Sequence, residues 1–318
     1  MKPASAMVSL LALIGLLAAL PLWVSQYHVS LFVTVFMYVA LAGSWNLFSG
    51  MTGYVSLGHG LFFGIGAYAF AIATAVLNLP PTLGLALGVI VPGLIAFVVG
   101  LVLLTSRIRI AYFAVVMLGL NEITKTIVAN TKSIGSSYGL TLPPLPNRLL
   151  AYYVLLGLAV AVTTFAYCIQ RMRWGYGLKA ILADEVAAEM TGVHTAAHKV
   201  AMFVVSAIFI GLAGAMIAWN WSYVDPYMAF DLAISFDMLV MAMFGGFGTV
   251  AGPVLGAIVM SVLKEILSTS LPHFHPIIFG VLVIVLMIWC PGGIIQAFDA
   301  ARAKLRTWAR PGPSEIVR

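Results

Sequence analysis

Few side chains in this sequence of 318 residues are equipped for chemistry, and their spacing limits what that chemistry could be. Glu122 and Lys125 stand three apart on a predicted apolar helix, where they can pair across one turn. A charge inside a membrane is costly, so such a pair either fixes helix packing or lines a path for a solute. His194 and His198 are four apart and could share a metal, but no glutamate follows the first histidine and no third ligand stands nearby. A solvated or helix-capping role suits them better, and His273 and His275, beside a proline turn, read as surface loop residues. His59 lies between Gly58 and Gly60 at the start of an apolar run, where it is either a hydrogen-bonded interfacial residue or a group on a path. No nucleophile, base and orienting acid occur together, so no catalytic residue and no metal site is assigned and the chain does not read as an enzyme. No Gly-Lys dipeptide occurs, which removes the loop that cradles nucleotide phosphates.

The elements that hold these residues follow from composition. Hydrophobic residues make up 62% of the chain and charged residues 8%, against roughly 45–50% and about 25% in soluble domains. Mean hydropathy is +1.07. No Asp, Glu, Lys or Arg occurs from Pro3 to Ser106, a length that crosses a hydrocarbon core of roughly 30 Å several times as helix. A β-barrel would need alternating polarity, whereas these runs are apolar on all sides. The fold expected is all-α, a polytopic helical membrane protein. The net charge of +6 belongs to loops that set topology, and no clustered basic face suggests nucleic acid.

About ten transmembrane helices are expected, over 8–24, 31–48, 57–77, 83–105, 110–130, 149–169, 200–221, 232–247, 250–269 and 276–290. Gly245, Gly246, Gly248, Gly252 and Pro253 split one long run into the eighth and ninth. With both termini inside, twelve basic residues fall on the cytoplasmic side, in the groups Lys2, Arg107 and Arg109, Arg171 to Lys199, and Arg302 to Arg318. Only Lys132 and Arg148 fall outside, as the positive-inside rule requires. Glu122 is read as the one acidic residue well inside a span. The first run lacks a basic leader and a cleavage site and is kept as a span. Cys168 and Cys290 fall at cytoplasmic span ends, where thiols stay reduced. Residues 1–298 form one membrane domain and 299–318 a basic cytoplasmic tail. Five spans on each side of the midpoint allow an inverted repeat. Gly58, Gly60, Gly64 and Gly66 in the third span and Gly248, Gly252 and Gly256 near the ninth are small residues suited to close helix packing.

The cytoplasmic segment 170–199 is the most informative polar stretch. It reads as a short amphipathic helix with Leu178, Ile181, Leu182, Val186 and Met190 on one side and Lys179, Asp184, Glu185 and Glu189 on the other. An acidic polar face is unsuited to an anionic leaflet, so docking into a groove on a cytoplasmic partner is favoured.

Within that segment, DEVAAEMTG from Asp184 to Gly192 resembles the coupling loop of ABC importer permeases, with Ala187, Ala188 and Gly192 at the family spacing. Glu185 stands one place before the usual acidic position, which Val186 holds. GYVSLGHGLFFGIGAY from Gly53 to Tyr68, SRIRIAYFAVVMLGLNE from Ser106 to Glu122, GGFGTVAGPVLGA from Gly245 to Ala257 and the ending Pro291, Gly292 and Gly293 are similar to the branched-chain amino acid ABC transporter permeases of the LivM type. Tyr54 replaces a common glutamine and Met117 a usual threonine. The external TKSIGSSYGLTLPP lacks the family's double glycine.

The resemblance, spread over most of 44–293, implies a multi-pass subunit of a bacterial inner membrane importer. It implies a heterodimer with a second related permease, two cytoplasmic ATP-binding subunits that hold ATP and Mg, and an extracytoplasmic solute-binding protein, with no cofactor in this chain. The implied cargo is a branched-chain amino acid or a related small amphipathic solute, with urea and short-chain amides as the alternative; a gradient-driven carrier or channel is the reading from another class. Leu178, Ile181 and Val186 are expected to fill the ATPase groove and Glu185 and Glu189 to pair with it. The translocation pathway is expected at the interface with the second permease, along Ser56, His59, Tyr68, Tyr112 and Glu122.

Overall fold

The computed structural model describes residues 12, 14–106, 108–270, 280, 281 and 293–295. The start of the first expected span, nearly all of the tenth, the 299–318 tail, His273, His275 and Cys290 lie outside them. The described chain is a helical bundle. Its elements are α1 (Gln26–Trp45), α2 (Gly60–Ala71), α3 (Pro81–Thr105), α4 (Ile110–Asn130), β1 (Leu140–Thr141), α5 (Arg148–Ile169), α6 (Arg173–Ala183), α7 (Glu185–Met190), α8 (Thr195–Trp221), β2 (Tyr223–Val224), α9 (Pro226–Ala229), α10 (Leu232–Gly246) and α11 (Ala251–Ser270).

Sequence chemistry sets where the helices begin. Pro81 opens α3, where a missing N–H costs nothing. Asn147 and Asp231 accept hydrogen bonds from the first-turn amides of α5 and α10, each at 2.9 Å. α1 and α2 each end in a five-residue π-helical segment, Asn46–Gly50 and Ile72–Val76, an irregularity common near functional sites. Among the described residues seven helical stretches are long and apolar enough to cross a membrane, with Gly60–Val76 a shorter apolar eighth. They coincide with the second to ninth expected spans.

The expected break between the eighth and ninth spans is present. Gly246 and Gly248 adopt φ values of 137° and 72°, open to glycine and strained for other residues, and they turn the chain from α10 into α11. The two helices then touch backbone to backbone: a Cβ on Gly245 would lie 1.7 Å from the carbonyl oxygen of Gly252, and one on Gly256 1.9 Å from that of Met241.

α8 is the central helix, packed against α1, α2, α3 and α5. Small residues make this possible. A Cβ on Gly66 would fall 2.1 Å from the carbonyl oxygen of Gly211, and one on Gly88 2.5 Å from the Ala215 methyl. With no hydrophobic drive between helices in lipid, such close backbone approach supplies the packing.

Loop contacts divide the connections between two ends of the bundle. β1 and β2 pair antiparallel, Leu140 with Val224 and Thr141 with Tyr223, a small addition to the all-α expectation. At the other end Gln170 Nε2 donates to the Gly248 carbonyl at 3.0 Å, and Tyr54 reaches Glu185. Alternate crossings demand this sorting, since the first pair of connections should lie outside and the second group inside.

Candidate functional site

The segment expected to be one amphipathic helix is two, and Asp184 is the reason. Its backbone is extended, with φ −162° and ψ 114°, which ends α6. Its carboxylate then accepts from the amides of Val186 at 2.9 Å and Ala187 at 3.0 Å, satisfying first-turn donors of α7 that have no helical partner. The other end of α7 is closed by Gly192, in the left-handed region at φ 87°, with its amide on the Glu189 carbonyl at 2.9 Å and that of Val193 on Ala188 at 3.1 Å. Thr195 Oγ1 donates to Glu189 Oε1 at 2.8 Å. A six-residue helix too short to hold itself is thus fixed at both ends.

One face of this platform is held by the protein's own polar core. Lys199, on the first turns of α8, is 1% exposed. Its ammonium pairs with the Glu185 carboxylate, lies 3.3 Å from the Tyr54 hydroxyl and sits 4.5 Å from the centre of the Tyr54 ring, a cation–π contact. Tyr54 in turn donates to Glu185 Oε2 at 2.8 Å. Burial first, then the hydrogen bond and charge of Glu185, push the Tyr54 phenol well above its ordinary range, so it remains a donor. The half-buried carboxylate satisfies the ammonium, which alone would be a buried charge.

This arrangement corrects the expected partner contacts. Leu178 and Ile181 are 1% and 4% exposed and face this chain's own core, so they do not offer themselves to a groove. Glu185 is occupied internally. Within α7, Ala188 is buried, whereas Ala187 is exposed. The exposed apolar residues of α7 are Val186 at 69% and Met190 at 86%, and Leu182 and Tyr176 of α6 are exposed as well. The Trp174 and His198 rings meet at a tilt of 37° with centres 4.3 Å apart, and His198 Nδ1 bonds the His194 carbonyl at 2.9 Å. No group of three metal-ligating side chains occurs among the described residues.

The five residues expected along a path stand in two settings, three buried in the bundle and two on α4. His59 is fully buried, its Nε2 3.1 Å from Ser206 Oγ, against the rings of Phe48, Phe62 and Phe203. Ser56 is buried beside it in sequence, its carbonyl accepting from Trp45 Nε1 at 2.9 Å. Tyr68 is enclosed, stacked on Phe230 with centres 5.8 Å apart. Tyr112, 61% exposed, and Glu122, paired with Lys125, lie on α4 at the bundle's flank. The glycines sit at close approaches: Gly58 against Met117, Gly60 against Ser235, Gly64 against Phe230, Gly66 against Gly211, Gly248 against Gly50, Gly252 against Gly246 and Gly256 against Met241.

Sequence reasoning missed Tyr54 and Lys199 as partners of Glu185, because nothing local links Glu185 to positions 131 before it and 14 after it. It also missed a second ionic group. Asp237 lies within α10, so Glu122 is not the one acid inside a span. Asp237 pairs with Lys264 of α11 and accepts from the Tyr38 hydroxyl of α1 at 2.8 Å.

Residues 27–290 match the family described as branched-chain amino acid transport system / permease component. Among curated proteins, the chain is 28% identical to the high-affinity branched-chain amino acid transport system permease protein LivM of Escherichia coli (strain K12), over 95% of this chain and 78% of that protein. It is 27% identical to LivM of Salmonella typhimurium (strain LT2), over 90% and 74%. The L-arabinose ABC transporter permease protein AraH of Azospirillum brasilense is 22% identical, over 66% and 63%. No solved structure matches.

Proposed function

The chain belongs to the family of branched-chain amino acid transport system permease components and is a membrane-spanning permease subunit of an ABC importer; from that premise we propose that it carries branched-chain amino acids across a bacterial inner membrane. Its partners in this reading are a second, related permease subunit, two cytoplasmic ATP-binding subunits and an extracytoplasmic solute-binding protein. ATP and Mg belong to the ATP-binding subunits, since this sequence has no phosphate-binding loop.

The observation that carries the reading is α7. It is a short helix capped at both ends, anchored inward by Glu185 to Lys199, and presenting Val186 and Met190 outward. An exposed apolar pair on a rigid helix suits a groove on another protein. Closure of the ATP-binding subunits then moves α7, and the buried Glu185–Lys199–Tyr54 group passes that motion to α8 and to the loop ahead of α2. Such a motion shifts the equilibrium only if the partner binds the two states with different affinity.

The test is uptake of labelled leucine, with urea in parallel, by cells lacking this gene and by the same cells carrying it. Loss of ATP-dependent leucine uptake supports the reading. Loss of urea uptake alone keeps the architecture and changes the cargo. Uptake indifferent to ATP depletion removes the coupling role.

A further inference from the structure

The bundle contains a cavity of about 640 Å³ that no function has yet been given. It follows α1 inward from the end of the bundle that carries the β1–β2 pair. Gln26, Ser30 and Thr34 line its mouth, and Tyr38 and Leu41 its depth. Tyr38 is twelve positions into α1 from Gln26, a depth of about 18 Å along the helix, or roughly the middle of a hydrocarbon core about 30 Å thick. Phe63 of α2, Ile217 of α8 and Ile234 of α10 give the opposite walls branched and aromatic apolar surface, and the amides of Asn147 and Asn220 also line the cavity.

Behind the Tyr38 wall lies the pair missed by sequence reasoning. Asp237 Oδ2 takes both the Tyr38 hydroxyl and the Lys264 ammonium, and that ammonium is 3.2 Å from the Tyr38 oxygen. The Asp237 side chain is 10% exposed and that of Lys264 30%. An ion pair in this setting adds little to stability compared with apolar residues of the same size, and ionisable groups at mid-membrane usually mark a solute route. The chemistry on offer is a hydroxyl, that of Tyr38, on the cavity wall, with one negative and one positive group directly behind it.

We propose that this cavity is a transit site for a zwitterionic α-amino acid with a branched apolar side chain. The side chain lies among Phe63, Ile217 and Ile234. The ammonium and carboxylate of the solute turn to Asp237 and Lys264, displacing the Tyr38 hydroxyl that bridges them. A zwitterion supplies one charge of each sign and so matches both members of the Asp237–Lys264 pair. The proposal rests on the cargo reading above and adds the place and the head-group chemistry.

The experiment uses the complete transporter in proteoliposomes, in a background of Cys168→Ser and Cys290→Ser. Thr34→Cys, at the mouth, is labelled with a membrane-impermeant maleimide. Leucine-loaded binding protein with ATP is expected to slow labelling, and labelling is expected to block leucine uptake. Asp237→Asn is expected to lower leucine uptake by about tenfold or more, as for loss of one charge-assisted contact, with Asp237→Glu recovering most of it. If the unaltered transporter imports no leucine, the cargo reading fails first. If it imports leucine while Thr34→Cys labels at the same rate with and without substrate, or Asp237→Asn and Lys264→Met import at the unaltered rate, this transit site is overturned. Should Asp237→Asn not assemble, the labelling result decides alone.

Discussion

The Glu185 carboxylate neutralises the ammonium of Lys199, fourteen positions later in the chain, in a place where Lys199 has almost no access to solvent. Glu185 is the first residue of α7 and Lys199 lies on α8, so one ion pair joins the platform to the central helix. Removing one partner from such a pair costs about 3–5 kcal/mol where the survivor is left charged and buried, as Lys199 is. Glu185→Gln and Lys199→Met should each lower the melting temperature in detergent strongly. The double variant should recover much of the stability while importing substrate poorly, since packing is restored and the link is not. Equal stability of all four proteins would remove the pair from the architecture.

Tyr54 completes that link. Tyr54→Phe deletes a hydrogen bond to Glu185 worth about 1 kcal/mol or somewhat more against a charged acceptor. The phenol is raised above its ordinary value, so its hydrogen-bonded neutral form persists, and the stability it contributes is lost only as pH rises through that raised value. Replacement by Phe should therefore leave the shape of the uptake profile between about pH 7 and 9 unchanged while lowering its height. A new alkaline limb confined to the unaltered protein would contradict this.

Asp184→Ala removes the cap of α7 and should cost about 1 kcal/mol locally. Uptake per ATP hydrolysed should fall several-fold, and Asp184→Asn or Asp184→Ser, which retain an acceptor oxygen, should restore it. Failure of both replacements would mean that charge and not capping matters at this position.

Val186 and Met190 are the exposed apolar pair. Changing both to Asp should leave the melting temperature of the isolated chain nearly unaltered, as surface changes do, and should abolish copurification with the ATP-binding subunits. Ala188 gives the contrast. It is 3% exposed, so a bulky charged residue there disturbs packing first and shows as lost stability before lost docking.

Gly66 meets Gly211 at the crossing of α2 and α8, with room for no further atom. Gly66→Ala should cost about 1–3 kcal/mol through overpacking, and Gly66→Leu should prevent assembly. Gly192→Ala offers a control of another kind. A Cβ there meets nothing within 4 Å, so its cost is the left-handed backbone alone, about 1 kcal/mol. Pulse-labelled membrane content and thermal melting distinguish the two.

The membrane character, the helical class and the positions of eight spans were legible in the sequence because they are one-dimensional properties. Apolar run length, glycine and proline breaks and the placement of basic residues need no knowledge of neighbours. The segment proposed to couple to the ATP-binding subunits stood out through a pattern of the same kind, the spacing of Ala187, Ala188 and Gly192. Pairing was not. Glu185 looks from the sequence like a free surface acid, and only the fold brings Lys199 and Tyr54 to it. Asp237, Lys264 and Tyr38 stand on three helices, up to 226 positions apart, and meet because glycine contacts bring α10 and α11 together beside α1. Helical periodicity tells which side chains share a face, but which face meets which is decided by packing of whole helices, and with it the inward turn of Leu178 and Ile181 and the outward turn of Val186.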